Sequence, residues 1–275
     1  MTMNREIIIE KLNDLKERGF EVPSEDMIKT NEDIEKIKES AKISSSLLDL
    51  ISENIKPGIT VKELNKIAQE FIISKGAVSG FLETSSLMNG EKYTKSISIS
   101  INNEVILNIL STDRILKDGD IVNVCSHIKY NGYYSNASRM FVIGNINNKT
   151  KRLLRITKEC LDKGIEAIKP WGSVSDIINA IEEHTKNNGY SVFDKMGHIL
   201  FPNVIESPFL IQSKGESMML IPGMIISLQP VITEGNSIFF LDDTVSRYYT
   251  CDGKLFAQWG SMILVTEDGI EILCK

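Results

Sequence analysis

The sequence predicts an α+β protein made by internal duplication, and three observations carry that expectation. The first is a central hairpin. Lys117-Asp118-Gly119-Asp120 is a turn, Ile121-Val122-Asn123-Val124 is a β-branched run suited to a buried strand, Asn131-Gly132 reverses the chain, and Tyr133 to Ile143 returns beside it. The second is a repeat. Ile55-Lys56-Pro57, Val61-Lys62-Glu63-Leu64-Asn65 and Lys75-Gly76 are answered, without a gap, by Ile168-Lys169-Pro170, Val174-Ser175-Asp176-Ile177-Ile178 and Asn188-Gly189. The third is a shorter echo, of Leu116-Lys117-Asp118-Gly119-Asp120-Ile121-Val122 in Leu220-Ile221-Pro222-Gly223-Met224-Ile225-Ile226. Helices followed by paired strands, twice over, imply two halves meeting around a shared sheet. This shorter echo aligns Cys125 with Gln229, so the halves present matching positions to one central pocket.

Taken in order, Ile7, Ile8, Leu12 and Leu15 share one helical face and Gly19 supplies a stop, which predicts an amphipathic helix over 3–18. Such a helix packs on the body or docks a partner or second subunit. Val22-Pro23-Ser24 breaks the pattern. Thr30 or Asn31 then caps a helix running to about Asn54, and Thr60 caps another from Val61 to Ser74, ended by Lys75-Gly76. A polar connector at Asn145 to Thr150 precedes a helix from Arg152 to Ala167. The expected organisation is a helical extension over 1–26 and a main domain over 27–275, with halves at about 28–144 and 150–275.

Bulk properties narrow the function classes. At 275 residues, 42% hydrophobic and 25% charged, the chain reads as an ordinary globular protein with ample core. A net charge of -6 provides no field to attract nucleic acid, and no basic cluster with interleaved aromatics is present in the sequence. The first residues contain no apolar run long enough for a signal sequence or membrane span, so a cytoplasmic location without membrane attachment is expected. Cys125, Cys160, Cys251 and Cys274 are scattered without a CxxC pair, which argues for reduced thiols rather than a disulfide framework or zinc ribbon.

Gly119-Asp120-Ile121-Val122-Asn123-Val124, Asn131-Gly132-Tyr133-Tyr134 and Ala137-Ser138-Arg139-Met140-Phe141 with Gly144 resemble the central motif of the type I methionine aminopeptidases. The stretch from Ile28 to Ile51 likewise resembles that family's first helix, and the likeness covers residues 28 to 275. It implies the pita-bread fold, a curved antiparallel sheet backed by helices with pseudo-twofold symmetry. It also implies two divalent metal ions held by two aspartates, a histidine and two glutamates. Carried over by position, the aspartates fall on Cys125 and Asn136, and the histidine on His198 in Lys195-Met196-Gly197-His198. The glutamates fall on Gln229, followed by Pro230, and on Gly260 in Ala257-Gln258-Trp259-Gly260-Ser261. Only His198 keeps the family's residue. Two histidines that contact substrate in the family match Asn108 and Ile205, and a tryptophan closing the methionine pocket matches Asp243.

The resemblance therefore implies a degenerate pocket. Two dications bring four positive charges, and Asn136, Gln229 and Gly260 answer with none, so neither a two-metal centre nor any other cofactor is expected. Cys125 and His127 alternate along a strand, and with His198 they make a set for one soft ion such as zinc; packing and hydrogen bonding are the plainer roles. Cys125 as a nucleophile activated by His127 or His198, with Asn136 or Gln229 as orienter, lacks an identifiable oxyanion hole. His184 is expected on an exposed helix face, Glu32-Asp33 and Asp242-Asp243 as surface charges, and Met218-Met219 and Met224 in packing. The expected function is a methionine aminopeptidase-like binding or regulatory module for an unidentified protein or peptide, inactive as a dinuclear metallopeptidase. A repurposed enzyme built on Cys125, His127 and His198, with one metal ion or none, and residual metal-dependent removal of N-terminal methionine, are the alternatives.

Overall fold

Side-chain caps set where the helices begin. In the computed structural model, which describes residues 4–20, 22–83, 94–105, 114–192, 199–203, 207–211, 218–242 and 247–275, these are α1 (Arg5–Glu17), α2 (Asn31–Asn54), α3 (Val61–Ser74), α4 (Asn148–Ala167) and α5 (Val174–Asn187). Thr30 with Asp33, Thr60 with Glu63 and Ser173 with Asp176 form capping boxes at α2, α3 and α5. The start of α4 differs from expectation. Asn147 accepts from the Thr150 amide, and that cap pulls the end of the polar connector into the helix.

The strands in chain order are β1 (Val78–Ser79), β2 (Ile97–Ile101), β3 (Glu104–Val105), β4 (Ile121–Tyr130), β5 (Tyr133–Val142), β6 (Ser191–Val192), β7 (Ile199–Asn203) and β8 (Ser207–Ile211). They continue as β9 (Ile225–Leu228), β10 (Val231–Thr233), β11 (Phe239–Asp242), β12 (Arg247–Thr250), β13 (Phe256–Gln258), β14 (Ser261–Val265) and β15 (Ile270–Cys274). The hairpin β4–β5 pairs with β1 and β2 on the other edge of β4, all antiparallel. A second sheet runs β15-β14-β9-β7-β8, and two small three-stranded sheets are β13-β10-β6 and β11-β12-β3. β4 extends six residues past the Ile121–Val124 run, carrying Cys125 and His127 inside the strand.

The duplication is written in the backbone hydrogen bonds. Gly58 N–H reaches Leu116 O, Leu116 N–H reaches Ile59 O, and Val61 N–H reaches Arg114 O. In the second half Trp171, Leu220 and Val174 make the same three bonds, to Leu220, Gly172 and Met218. Gly58 and Trp171 stand at equivalent places with φ of 93° and 66°, a left-handed turn glycine reaches freely and tryptophan only under strain. Gly119 to Ile143 and Ile143 to Asp120 are matched by Gly223 to Val265 and Val265 to Met224. By that register Ser138 and Gly260 are each other's counterparts. They also bond to each other, N–H to carbonyl in both directions at 3.3 and 2.9 Å, so the pseudo-twofold axis passes between them.

Two cores form, each led by the helices of one half but sharing residues with the other: Ile225, Met262, Leu264 and Cys274 join the first, Ile28, Ile121 and Met140 the second. Ile37, Leu47, Leu48 and Ile51 of α2, with Leu64 and Ile72 of α3, cover Val122, Val124 and Ile128 of β4. Leu153 and Ile156 of α4, with Ile177 and Ile181 of α5, cover Ile226, Leu228, Ile232 and Ile263. α1 joins the second core through Ile8 and Leu12, and its Lys11 ammonium lies 3.6 Å over the Trp171 ring. Ile7, expected on the packed face, is 60% exposed, because the contact stripe is narrower than the apolar face. Ile37→Ala should therefore cost about 2–5 kcal/mol in urea unfolding, while Ile7→Ala stays within about 0.5 kcal/mol. Equal effects would show that α2 is not the buried wall described.

Candidate functional site

Residues directly opposite in an antiparallel pair share a face. Asn123 with Met140, Cys125 with Ser138, and His127 with Asn136 therefore form one face of the hairpin, while Val122, Val124, Ile128 and Ala137 turn to the helices. β4 spends one edge of β5. The other edge faces the second half: Asn136 N–H donates to Met262 Sδ at 3.0 Å, the Cys274 thiol donates to Asn136 O at 3.0 Å, and Ser138 pairs with Gly260.

A chain of buried neutral groups joins two of the positions singled out in the sequence, Asn136 and Gln229. Ser227 Oγ donates to Asn136 Oδ1 at 2.8 Å, Gln229 Nε2 donates to Ser227 Oγ at 2.8 Å, and Gln258 Nε2 donates to Gln229 Oε1 at 2.8 Å. Asn123 Nδ2 closes the chain on Gln258 O at 2.9 Å. Every member is buried. Ser227 and Gln258 were not singled out from the sequence. The signal was available, since Ser227 lies two residues before Gln229 and Gln258 two before Gly260, which strand alternation puts on one face.

Gly260 is closely enclosed. A Cβ there would sit 2.7 Å from Ser138 Oγ and 3.0 Å from Gln229 Cγ, so any side chain displaces one of them. Burial, and secondarily the charge of Cys274, pushes the Cys125 thiol up to about 12, which keeps it protonated and is opposite to the activation a nucleophile needs. His127 packs at ring-centroid distances of 5.4 Å from both Phe81 and Tyr134, close beneath Gly80. Burial, opposed by Glu83, lowers its pKa to about 4, so it is neutral. Glu83 accepts from Lys129 at 2.7 Å and Tyr134 at 2.6 Å, pinning the turn at 80–83 to the hairpin beside that imidazole.

Cys125, Asn136, Gln229 and Gly260 are thus brought together. His198, Asn108, Ile205 and Asp243 lie outside the described residues, so the geometry of a Cys125, His127, His198 set is not defined. No group of three or more His, Cys, Asp or Glu side chains placed to hold a metal ion occurs among the described residues. His184 is half-buried rather than exposed, its Nε2 3.0 Å from Glu159 Oε2. Asp33 serves as the α2 capping residue and accepts from Tyr133 at 2.8 Å, and Met224 is fully buried.

This architecture has known relatives. Residues 35–267 match the model of metallopeptidase family M24. Methionine aminopeptidase A of Synechocystis sp. is 38% identical over 245 residues, 88% of this chain and 94% of that protein. Methionine aminopeptidase of Clostridium perfringens is 35% identical over 251 residues, 90% of this chain and 98% of that protein. Among solved structures, methionine aminopeptidase from Rickettsia prowazekii superposes with a TM-score of 0.80 at 31% identity, covering 90% of this chain and 99% of that one. Prolidase from Pyrococcus furiosus, with a TM-score of 0.70 at 21% identity, shares the fold alone. The fold is the pita-bread fold of the metallopeptidases. Within that class the chain belongs to family M24 and to its methionine aminopeptidase homologues. No helix among the described residues is long and apolar enough to cross a membrane.

Because Ser227 Oγ serves both Asn136 and Gln229, Ser227→Ala strands two buried groups and should cost about 1–3 kcal/mol for each. Adding Gln229→Met removes the stranded Gln229 amide but strands Gln258 Nε2, so a coupling of about 0.5–3 kcal/mol is expected in a double-mutant cycle. Strict additivity would mean that the amides and the hydroxyl do not form one network.

Proposed function

We propose that this chain is a methionine aminopeptidase homologue inactive as a dinuclear metallopeptidase, serving as a binding or regulatory module for a protein or peptide in the cytoplasm. The observation that carries the proposal is the neutral hydrogen-bonded chain that includes Asn136 and Gln229, two of the positions assigned by resemblance to metal ligands. Asn136 and Gln229 offer amide oxygens already bonded to Ser227 and Gln258. Gly260 offers no donor, and a side chain there collides with Ser138. Cys125 is a protonated thiol. An uncompensated buried charge costs roughly several kcal/mol after relaxation. Two dications bring four charges, so this donor set does not fit the pair.

The loss has a chemical consequence. A bound ion lowers the pKa of water from about 15.7 to about 7, and that is how hydroxide becomes available at neutral pH. No residue described in this pocket replaces the function: His127 is neutral, enclosed by aromatic rings, and poorly placed in pKa for a base near pH 7. A folded pocket without its acids retains shape and hydrogen-bonding capacity, which suits binding.

The test is direct. Purified protein incubated with cobalt or manganese should release no methionine from Met-Ala peptides and should retain no stoichiometric divalent metal after desalting. Turnover with two equivalents of bound metal would overturn the proposal. One equivalent lost on Cys125→Ser would redirect it toward a repurposed single-ion enzyme.

A further inference from the structure

Four sulfur atoms lie along the hairpin, and of these the proposed function invokes only Cys125. Met262 and Cys274 stand directly opposite each other on β14 and β15. The thioether of the first lies 3.0 Å from Asn136 N and the thiol of the second 3.0 Å from Asn136 O. The N and O of one extended residue point from the same edge of a strand, so the two sulfurs converge there. Cys125 stands one diagonal step away, since its partner Ser138 is two residues on from Asn136. Diagonal neighbours lie roughly 7–8 Å apart, within reach of side chains. Met140 takes the other diagonal, with Asn123 Nδ2 3.6 Å from its Sδ. Burial pushes the Cys274 thiol up to about 12, and Cys274 in turn contributes to the shift of Cys125.

We propose that Cys274 and Met262, with Cys125 as a third donor, form a site for one soft monovalent ion, Cu(I). Thiolate and thioether ligands select this ion over the hard and borderline dications. Charge points the same way. Cu(I) replaces the proton on Cys274, so one S–H bond breaks and one thiolate S–Cu bond forms, while the Met262 thioether and the Cys125 thiol, which keeps its proton, add lone-pair donation with no change of oxidation state. The proton leaves to solvent, and the net charge among the sulfurs is unchanged. A pair of dications cannot meet that condition here. The inference shares the charge argument of the preceding section but does not depend on which partner the module binds.

The experiment uses the full chain in a Cys251→Ser background, because Cys251 is an exposed thiol that would bind copper by itself. Anaerobic titration with Cu(I) against bathocuproine disulfonate should give one equivalent and one proton released. Cys274→Ser should weaken binding roughly hundredfold and Met262→Leu about tenfold. Affinity unchanged by both substitutions overturns the proposal. Since replacing a buried residue can unfold β15, crystals of the Cys251→Ser protein soaked in Ag(I) provide a second measurement. The expected anomalous peak lies between Cys274 Sγ and Met262 Sδ, and a peak elsewhere, or none, overturns it. Divalent-metal peptidase activity would sink the earlier proposal without altering these readings, and loss of Cu(I) binding would leave that proposal standing.

Discussion

The centre of this protein is governed by the requirement that a buried pocket be neutral and its polar groups paired. Asn136, Ser227 and Gln229 meet it with amide and hydroxyl bonds of 2.8 Å, and no formal charge enters the chain they form with Gln258, whose Oε1 is buried without a hydrogen bond. Neutral groups that are hydrogen-bonded cost little to bury, whereas an unpaired ion costs several-fold more. Cys125 and His127 follow the same rule, one held protonated and the other deprotonated by burial.

The scaffold around that centre rests on other forces. α2 and α3 cover the outer face of the first hairpin, α4 and α5 cover the second half, and equivalent backbone bonds recur in both. At the axis, Ser138 and Gly260 pair backbone to backbone. Side chains at the neighbouring pocket positions can therefore change without removing the bonds that join the halves. This accounts for how a chain 38% identical to a methionine aminopeptidase keeps the fold.

Much of the fold was legible because its signals are local. Thr30, Thr60, Gly19 and Gly76 announce helix ends by chemistry that needs no tertiary context, and the repeat around Lys56-Pro57 and Lys169-Pro170 announces the duplication. Cys125, Asn136, Gln229 and Gly260 were singled out by resemblance through their framing motifs, and the structure joins Asn136 to Gln229 through Ser227. What stayed hidden depends on contacts across the chain. The extension of β4 to Tyr130 is fixed by pairing with β1 and β5, and the exposure of Ile7 by how α1 lies on the second core. Met262 and Cys274 carry no motif, and only the crossing of β5 with β14 and β15 brings them to Asn136.

The most direct measurement of the neutral centre is an anomalous difference map from crystals grown with manganese. The account predicts no peak within bonding distance of Asn136 Oδ1 or Gln229 Oε1, both still hydrogen-bonded to Ser227 and Gln258. Two peaks bridged at Asn136, with Ser227 and Gln258 swung aside, would contradict it.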